Sequence, residues 1–253
     1  MKAIVYTKFY MRIQKLKKAA IAILVIIACL LLTWNISRAR SYQVFGELIH
    51  RVDTDKKIVA LTFDDGPWNN RATDEVIAIL EELDTKATFF LNGLGIKDHP
   101  SATKKLVLAG HDLGNHSYSH KRLIFKGYEE IKEEVESTSS LIRSSGFQGE
   151  IFFRAPYGKK LLVLPYYLKQ QGITSVSWDV EPESYKKVRS SSDEMVKHVV
   201  SNTTSGSIIL LHVLGSGNKV TRAALPSIIK ELRADGYRFV QLPELFQERA
   251  GEH

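Results

Sequence analysis

The sequence predicts an α/β domain of parallel strands joined by crossover helices, preceded by an N-terminal transmembrane segment. From residue 58 onward, short apolar runs alternate with amphipathic segments, the rhythm of strand–helix–strand units. Residues 19–36 form a nearly unbroken apolar stretch flanked by positive charge. Acidic, basic and imidazole side chains fall where strands should end, the edge at which parallel α/β folds carry their chemistry. Seven candidate strands fit either an open sheet or a barrel slightly smaller than the common eight-stranded one.

Residues 1–40 carry eight Lys/Arg and no acid. Of the 35 basic residues, 27 therefore remain to face 28 acidic ones, and the rest of the chain is near neutral. The net charge of +7 belongs to the N-terminal region and gives no nucleic-acid signature. Six of the eight cations precede residue 19, which directs a basic tail (1–18) to the cytoplasm and the bulk of the chain outward. The apolar run 19–36 is at the short end of a membrane span. It reads as an uncleaved signal anchor. Ser37-Arg38-Ala39 offers a cleavage site after Ala39, and Cys29, the one cysteine, offers a lipidation site. A stem (37–57), with a possible short strand at 42–45, leads to a catalytic-sized domain (58–247) and a C-terminal tail (248–253).

Strands are expected at 58–63, 87–91, 151–154, 175–178, 207–212 and 238–241, with a weaker one at 111–114. Helices are expected at 72–83, 102–109, 128–144, 161–171, 193–201 and 223–234. In the first helix Val76, Ile79, Leu80 and Leu83 recur at helical spacing, with Asp74-Glu75 in its first turn. Gly110, Gly146, Gly172 and Gly236 each follow a helical stretch, as C-terminal caps do.

The richest stretch is Thr62-Phe63-Asp64-Asp65-Gly66-Pro67. Asp-Asp-Gly-Pro is good turn chemistry. Two carboxylates closing a buried strand are costly unless a metal holds one and the other keeps an oxygen for proton transfer. His116 and His120 lie four residues apart, so a helix or tight helical turn puts both on one face, suited to a single metal. With Asp65 they make a two-imidazole, one-carboxylate set that favours zinc-type hydrolysis, leaving Asp64 as base. His212, ending the apolar run 208–211, is placed to protonate a departing amine. Arg154 follows a buried strand and needs a carboxylate partner: Asp64, Asp179 or both.

Five motifs in order resemble those of polysaccharide deacetylases, the NodB-homology domain of carbohydrate esterase family 4. They are Thr-Phe-Asp-Asp-Gly-Pro (62–67), His-Ser-x-x-His (116–120), Arg-x-Pro-Tyr (154–157), Trp-Asp (178–179) and Leu-Leu-His (210–212). The resemblance spans about residues 58–245. It implies a distorted (β/α)7 barrel, a divalent metal (Zn2+, or Co2+) and hydrolytic removal of acetyl from N-acetylated sugar polymers. Asp64 then looks like the base, Asp65, His116 and His120 like the metal ligands, His212 like the acid and Arg154 like the tether of the base. The backbone N–H of Tyr157 would stabilise the oxyanion, and Leu210 and Trp178 would line the acetyl pocket. The fourth motif departs from the family's usual aspartate-rich stretch ending in Asp-Trp, so Glu181 competes with Asp179 as partner of Arg154.

A tethered enzyme meets the wall first, so the expected activity is de-N-acetylation of N-acetylglucosamine or N-acetylmuramic acid units of peptidoglycan. De-O-acetylation and a catalytically silent envelope glycan-binding protein are the alternatives. His50, His99, His111, His198 and His253 read as surface or loop residues; Asn115 adjoins a proposed ligand and is placed to orient it. Tyr166-Tyr167 and Phe152-Phe153 read as core, and the acidic run 129–136 as a solvated helix face.

Overall fold

The computed structural model describes residues 2–249; the end of the expected C-terminal tail, with His253, lies outside them. In chain order the elements are α1 (Lys2–Arg38), β1 (Leu48–Ile49), β2 (Ile58–Asp64), α2 (Asn70–Glu82), β3 (Thr88–Leu91), α3 (Gly93–Asp98), α4 (Pro100–Leu108) and β4 (Asp112–Asn115). They continue with α5 (Tyr128–Ser144), α6 (Val163–Gln170), β5 (Ser175–Val176), α7 (Ser192–Asn202), β6 (Ile208–Leu211), α8 (Lys219–Ala234), β7 (Arg238–Val240) and α9 (Leu242–Gln247).

The main sheet is parallel and centred on β2. β3 pairs with its carboxyl half, β7 with its amino half, β6 with its middle, and β4 extends the sheet beyond β3. β1 and β5 form a separate parallel pair. The expected strand at 151–154 does not form. Phe153 alone bridges Asn115 on one side and Ser175 on the other, and Val180 bridges Ile209. Regular pairing thus covers the five strands of the main sheet and the β1–β5 pair, with single bridges carrying the chain around the remaining arc.

Alternation along β2 builds the site. Val59, Leu61 and Phe63 point outward into the core made with α2, α7 and α8, while Ile58 and Ala60 point inward toward Phe90, Phe152, Trp178 and Leu210. Thr62 and Asp64 share that inward parity, so the interior turns polar at the strand's carboxyl end. β6 repeats the pattern, with Ile209 and Leu211 outward and Ile208 and Leu210 inward. On β4, Gly114 leaves room for the Phe90 ring: a β-carbon there would lie 2.4 Å from it.

Several local expectations shift. α2 starts two residues early because Asn69 caps it, its side chain accepting from Ala72 N, and this moves Asp74 and Glu75 out of the first turn. α3 falls between the expected elements. Its glycines permit close approach, since a β-carbon at Gly95 would lie 2.7 Å from the Gly66 backbone. The segment expected as a stem packs on the domain: Ile49 and Val52 are core residues, and Ser37 and Gln43 are buried. His111 is buried rather than superficial, and Tyr166 is exposed where core was expected, while Tyr167, Phe152 and Phe153 are buried. Within α1, Gln14–Arg38 is long and apolar enough to cross a membrane by length and composition, and its apolar 18-residue window has no residue buried against the protein.

Candidate active site

β2 delivers Asp64 almost completely buried, at 2% exposure, and a turn then presents Asp65 with φ at +74°. Arg154, fully interior, donates from Nη1 to Asp64 Oδ1 at 2.6 Å and to Thr62 Oγ1 at 2.9 Å. Its Nη2 donates to Ser177 O at 3.0 Å, and its guanidinium lies 4.0 Å from the Phe90 ring centroid. Burial alone would raise the pKa of Asp64; the positive charge of Arg154, with His116 and His212, outweighs it and holds the carboxyl below its ordinary value. The carboxylate therefore stays ionised and keeps Oδ2 toward the cleft, 3.6 Å from His116 Nε2.

The expectation that Asp179 pairs with Arg154 is overturned, and Glu181 does not replace it. Asp179 accepts from Ser207 Oγ at 2.7 Å and from Ile208 N at 2.8 Å. It thereby satisfies the first backbone donor of β6, and four of the five donors of Arg154 go to Asp64, Thr62 and backbone carbonyls. Glu181 turns to the backbone N–H of Ser184, 2.7 Å away.

His116 and His120 do converge, but from a loop. Ser117 and His120 have φ of +64° and +57°, so the four-residue spacing is closed by left-handed turns rather than by a helix. Asn115 Oδ1 accepts from Ser117 N, and Ser117 Oγ from His120 N. Glu134, expected on a solvated face, accepts from the N–H groups of Tyr118 and Ser119, both at 2.9 Å. Asn92 joins the loops that carry Asp65 and His116: its Oδ1 accepts from Gly66 N and its Nδ2 donates to His116 O, both at 3.0 Å.

Asp65, His116 and His120 bring one ligand atom each within 4.8 Å of one another. Asp65 Oδ1 is buried with no hydrogen-bond partner, 3.2 Å from His120 Nε2 and 3.8 Å from His116 Nε2. His116 Nδ1 sits 2.8 Å from Arg154 O; donation to that carbonyl leaves Nε2 with its lone pair toward Asp65. An orphaned carboxylate oxygen facing two imidazoles fits a divalent cation.

Across the cleft, His212 Nε2 lies 3.8 Å from Asp65 Oδ2. Its Nδ1 is 2.5 Å from Glu183 Oε2, and Glu183 Oε1 accepts from Thr221 Oγ1 at 2.7 Å. Burial would lower the imidazole pKa; the Glu183 hydrogen bond and charge, with the charges of Asp64 and Asp65, reverse this and raise it to about 9. His212 is thus held as a proton donor. Glu183 escaped the sequence reading, although it lies two residues from Glu181 in the stretch already flagged as unusual. Tyr157, at φ +58°, and Trp178 and Leu210, on the inner wall, line the same cleft of about 640 Å³. A larger groove of about 810 Å³ between α2 and α8, lined by Trp68, Ile79 and Arg222, holds none of these groups.

An ionised, tethered carboxylate in one cleft with a charged imidazole is equipped to add water to an acyl carbon and protonate the leaving group. Fold and site together define a hydrolase. The family model described as polysaccharide deacetylase matches residues 51–176. A peptidoglycan-N-acetylglucosamine deacetylase of Bacillus cereus is 35% identical over 193 residues, covering 76% of this chain and 69% of that one. Among solved structures, another peptidoglycan N-acetylglucosamine deacetylase superposes with a TM-score of 0.74 at 32% identity, covering 80% of this chain and 94% of that one. A carbohydrate esterase family 4 pseudoenzyme from Bacillus anthracis superposes with a TM-score of 0.73 at 26% identity, covering 83% and 72%. The chain belongs to the polysaccharide deacetylases of carbohydrate esterase family 4 and is a deacetylase.

Proposed function

We infer that the protein is a metal-dependent de-N-acetylase of N-acetylglucosamine or N-acetylmuramic acid units in peptidoglycan, held at the outer face of the membrane by α1 as a signal anchor. The observation that carries this reading is the division of labour between the two adjacent carboxylates. Asp64 is tied to Arg154, and Asp65 keeps an unpartnered oxygen toward His116 and His120. The relatives' substrates support the polymer, and the distorted barrel is the architecture that single bridges around the sheet best fit.

Asp65, His116 and His120 would hold the ion, zinc first by ligand type, and it would supply Lewis-acid polarisation of the acetyl carbonyl and of water. Asp64 Oδ2 accepts the proton of the attacking water, with Arg154 fixing its orientation. The Tyr157 N–H stabilises charge on the carbonyl oxygen. His212 gives its proton to the sugar nitrogen as the C–N bond breaks, and Glu183 steadies the cation before transfer. Trp178 and Leu210 enclose the methyl group. The silent-scaffold alternative calls for a lost base, acid or ligand, and Asp64, Asp65, His116, His120 and His212 are all in place.

The test is acetate release by the metal-loaded full chain from purified peptidoglycan, N-acetylated chitin oligomers and O-acetylated polymers in parallel. Release from the N-acetylated substrates is expected. Release from the O-acetylated polymers alone would replace the amidase reading with an esterase one.

A further inference from the structure

The end of α1 is built into the wall of the catalytic cleft. Ser37, 3% exposed, gives its carbonyl to Lys160 N at 2.9 Å, and Lys160 Nζ donates to Ala39 O. Lys159 Nζ stands 4.0 Å from the Trp34 ring centroid. These contacts fasten the helix to the segment that follows Tyr157, on the rim of the site. Arg38 and Arg40 consequently line the cleft together with Asp64, Asp65, His116 and Trp178. Arg40 lies 5.0 Å from the Trp178 ring centroid, on a side chain that also neighbours Arg154. On the same rim segment, Arg122 lies 5.1 Å from the ring of Tyr157.

Asp64, Glu181 and Glu183 have partners in this cleft, Asp65 faces imidazoles, and the outer cations are largely unpartnered. Asp64 is neutralised by Arg154, Glu183 by His212, and Asp65 faces the two imidazoles. Glu181 is spent on Ser184 and meets Arg40 at 3.7 Å, a loose contact that leaves most of the guanidinium's five donors open. Arg40 and Arg38 are exposed, as is Arg122. The end of α1 thus brings uncommitted positive charge to the mouth of the cleft.

We propose that Arg38 and Arg40 form a cationic subsite for an anionic group carried by the glycan beside the acetamido sugar. The anion is a carboxylate on a neighbouring sugar or a phosphate joining the glycan to a membrane lipid; guanidinium forks suit both. The inference rests on the deacetylase reading for the sugar but not for the anion. It also makes the α1 junction part of the enzyme, since cleavage after Ala39 removes Arg38 and frees Arg40 from its helix.

The test uses the metal-loaded full chain in lipid nanodiscs with three acetamido-sugar substrates of matched length. One is neutral, one carries a carboxylate on the adjacent sugar, and one is linked through phosphate to a short prenyl chain. The wild type should favour at least one anionic substrate over the neutral one by about tenfold in kcat/KM, and the ratio should fall close to one in Arg38→Ala/Arg40→Ala. Arg38→Glu/Arg40→Glu should invert it. The anionic substrate that carries the preference identifies the source of the anion. Calorimetric binding of the same three compounds to the Asp64→Asn chain gives the ratio without turnover. If no acetate is released but binding favours the anion through these arginines, the deacetylase reading falls and the subsite stands. A ratio near one in the wild type, or one that survives the double substitution, overturns the subsite.

Discussion

Replacing Glu183 by Gln separates the charge of the His212 partner from its shape. Glu183 Oε2 lies 2.5 Å from His212 Nδ1, and Thr221 holds the other oxygen, so the amide can occupy the same place without the negative charge. His212 stands at about 9 because Glu183, Asp64 and Asp65 outweigh its burial. Losing a charge-assisted hydrogen bond of this length lowers an imidazole pKa by about 1–3 units, here to about 7. As the proposed acid, His212 is competent only below its pKa, so the alkaline limb of the rate profile must move to lower pH. At pH 8 the protonated fraction falls from about nine-tenths to about one-tenth, a loss of about tenfold in kcat/KM, while at pH 6 the two enzymes converge. A cation on Asp65, His116 and His120 depresses His212 in both proteins alike, so the difference between the limbs remains the readout. The assay is acetate release from a soluble N-acetylated oligomer between pH 5 and 10. An alkaline limb that stays within about 0.3 unit of wild type would refute the assignment of Glu183 as the group that keeps His212 charged.

The two adjacent aspartates should fail differently. Asp64→Asn loses about 10²- to 10⁴-fold in kcat with metal content by mass spectrometry unchanged, whereas Asp65→Asn or His116→Ala loses bound metal first; equal metal loss in all three would defeat the division of roles. Arg154→Met strips Asp64 of its counter-charge, so the carboxyl pKa rises and the acid limb of kcat/KM moves to higher pH. It also strands a buried charge at a cost of about 3–5 kcal/mol in denaturant unfolding, and a wild-type acid limb in a folded variant would count against the tether. Gly114→Ala drives a methyl into the Phe90 ring that supports Arg154, costing about 1–3 kcal/mol by thermal melt; an unchanged Tm would show that this contact relaxes freely.

The fold was legible where side-chain period and backbone pairing agree. β2 and β6 are continuous apolar runs buried on both faces, and α5 is found at its expected bounds because its buried Ile131, Val135, Thr138 and Ile142 keep helical spacing. The reading at 151–154 failed for a different reason. Ile151-Phe152-Phe153-Arg154 is as apolar as a strand, but Phe153 makes only one bridge to each neighbour, and single bridges leave no mark in periodicity. α3 was hidden by two glycines that serve close packing against Tyr118 and Gly66 rather than a turn.

In the site, rare chemistry at strand ends was visible and the choice of partner was not. Asp64, Asp65, His116, His120, Arg154 and His212 are reactive types at places where parallel folds expose them, so sequence alone brought them together. Asp179, Glu181 and Glu183 are three acids within five residues, and nothing local distinguishes their partners. Their division follows from which donors each meets. The start of β6 leaves the Ile208 N–H for Asp179, the loop turns Glu181 onto Ser184, and α8 supplies Thr221 to aim Glu183 at His212. Four of the five donors of Arg154 meet Asp64, Thr62 and backbone carbonyls, and none turns to these acids. In a buried polar network, the satisfied group decides where the next charge goes.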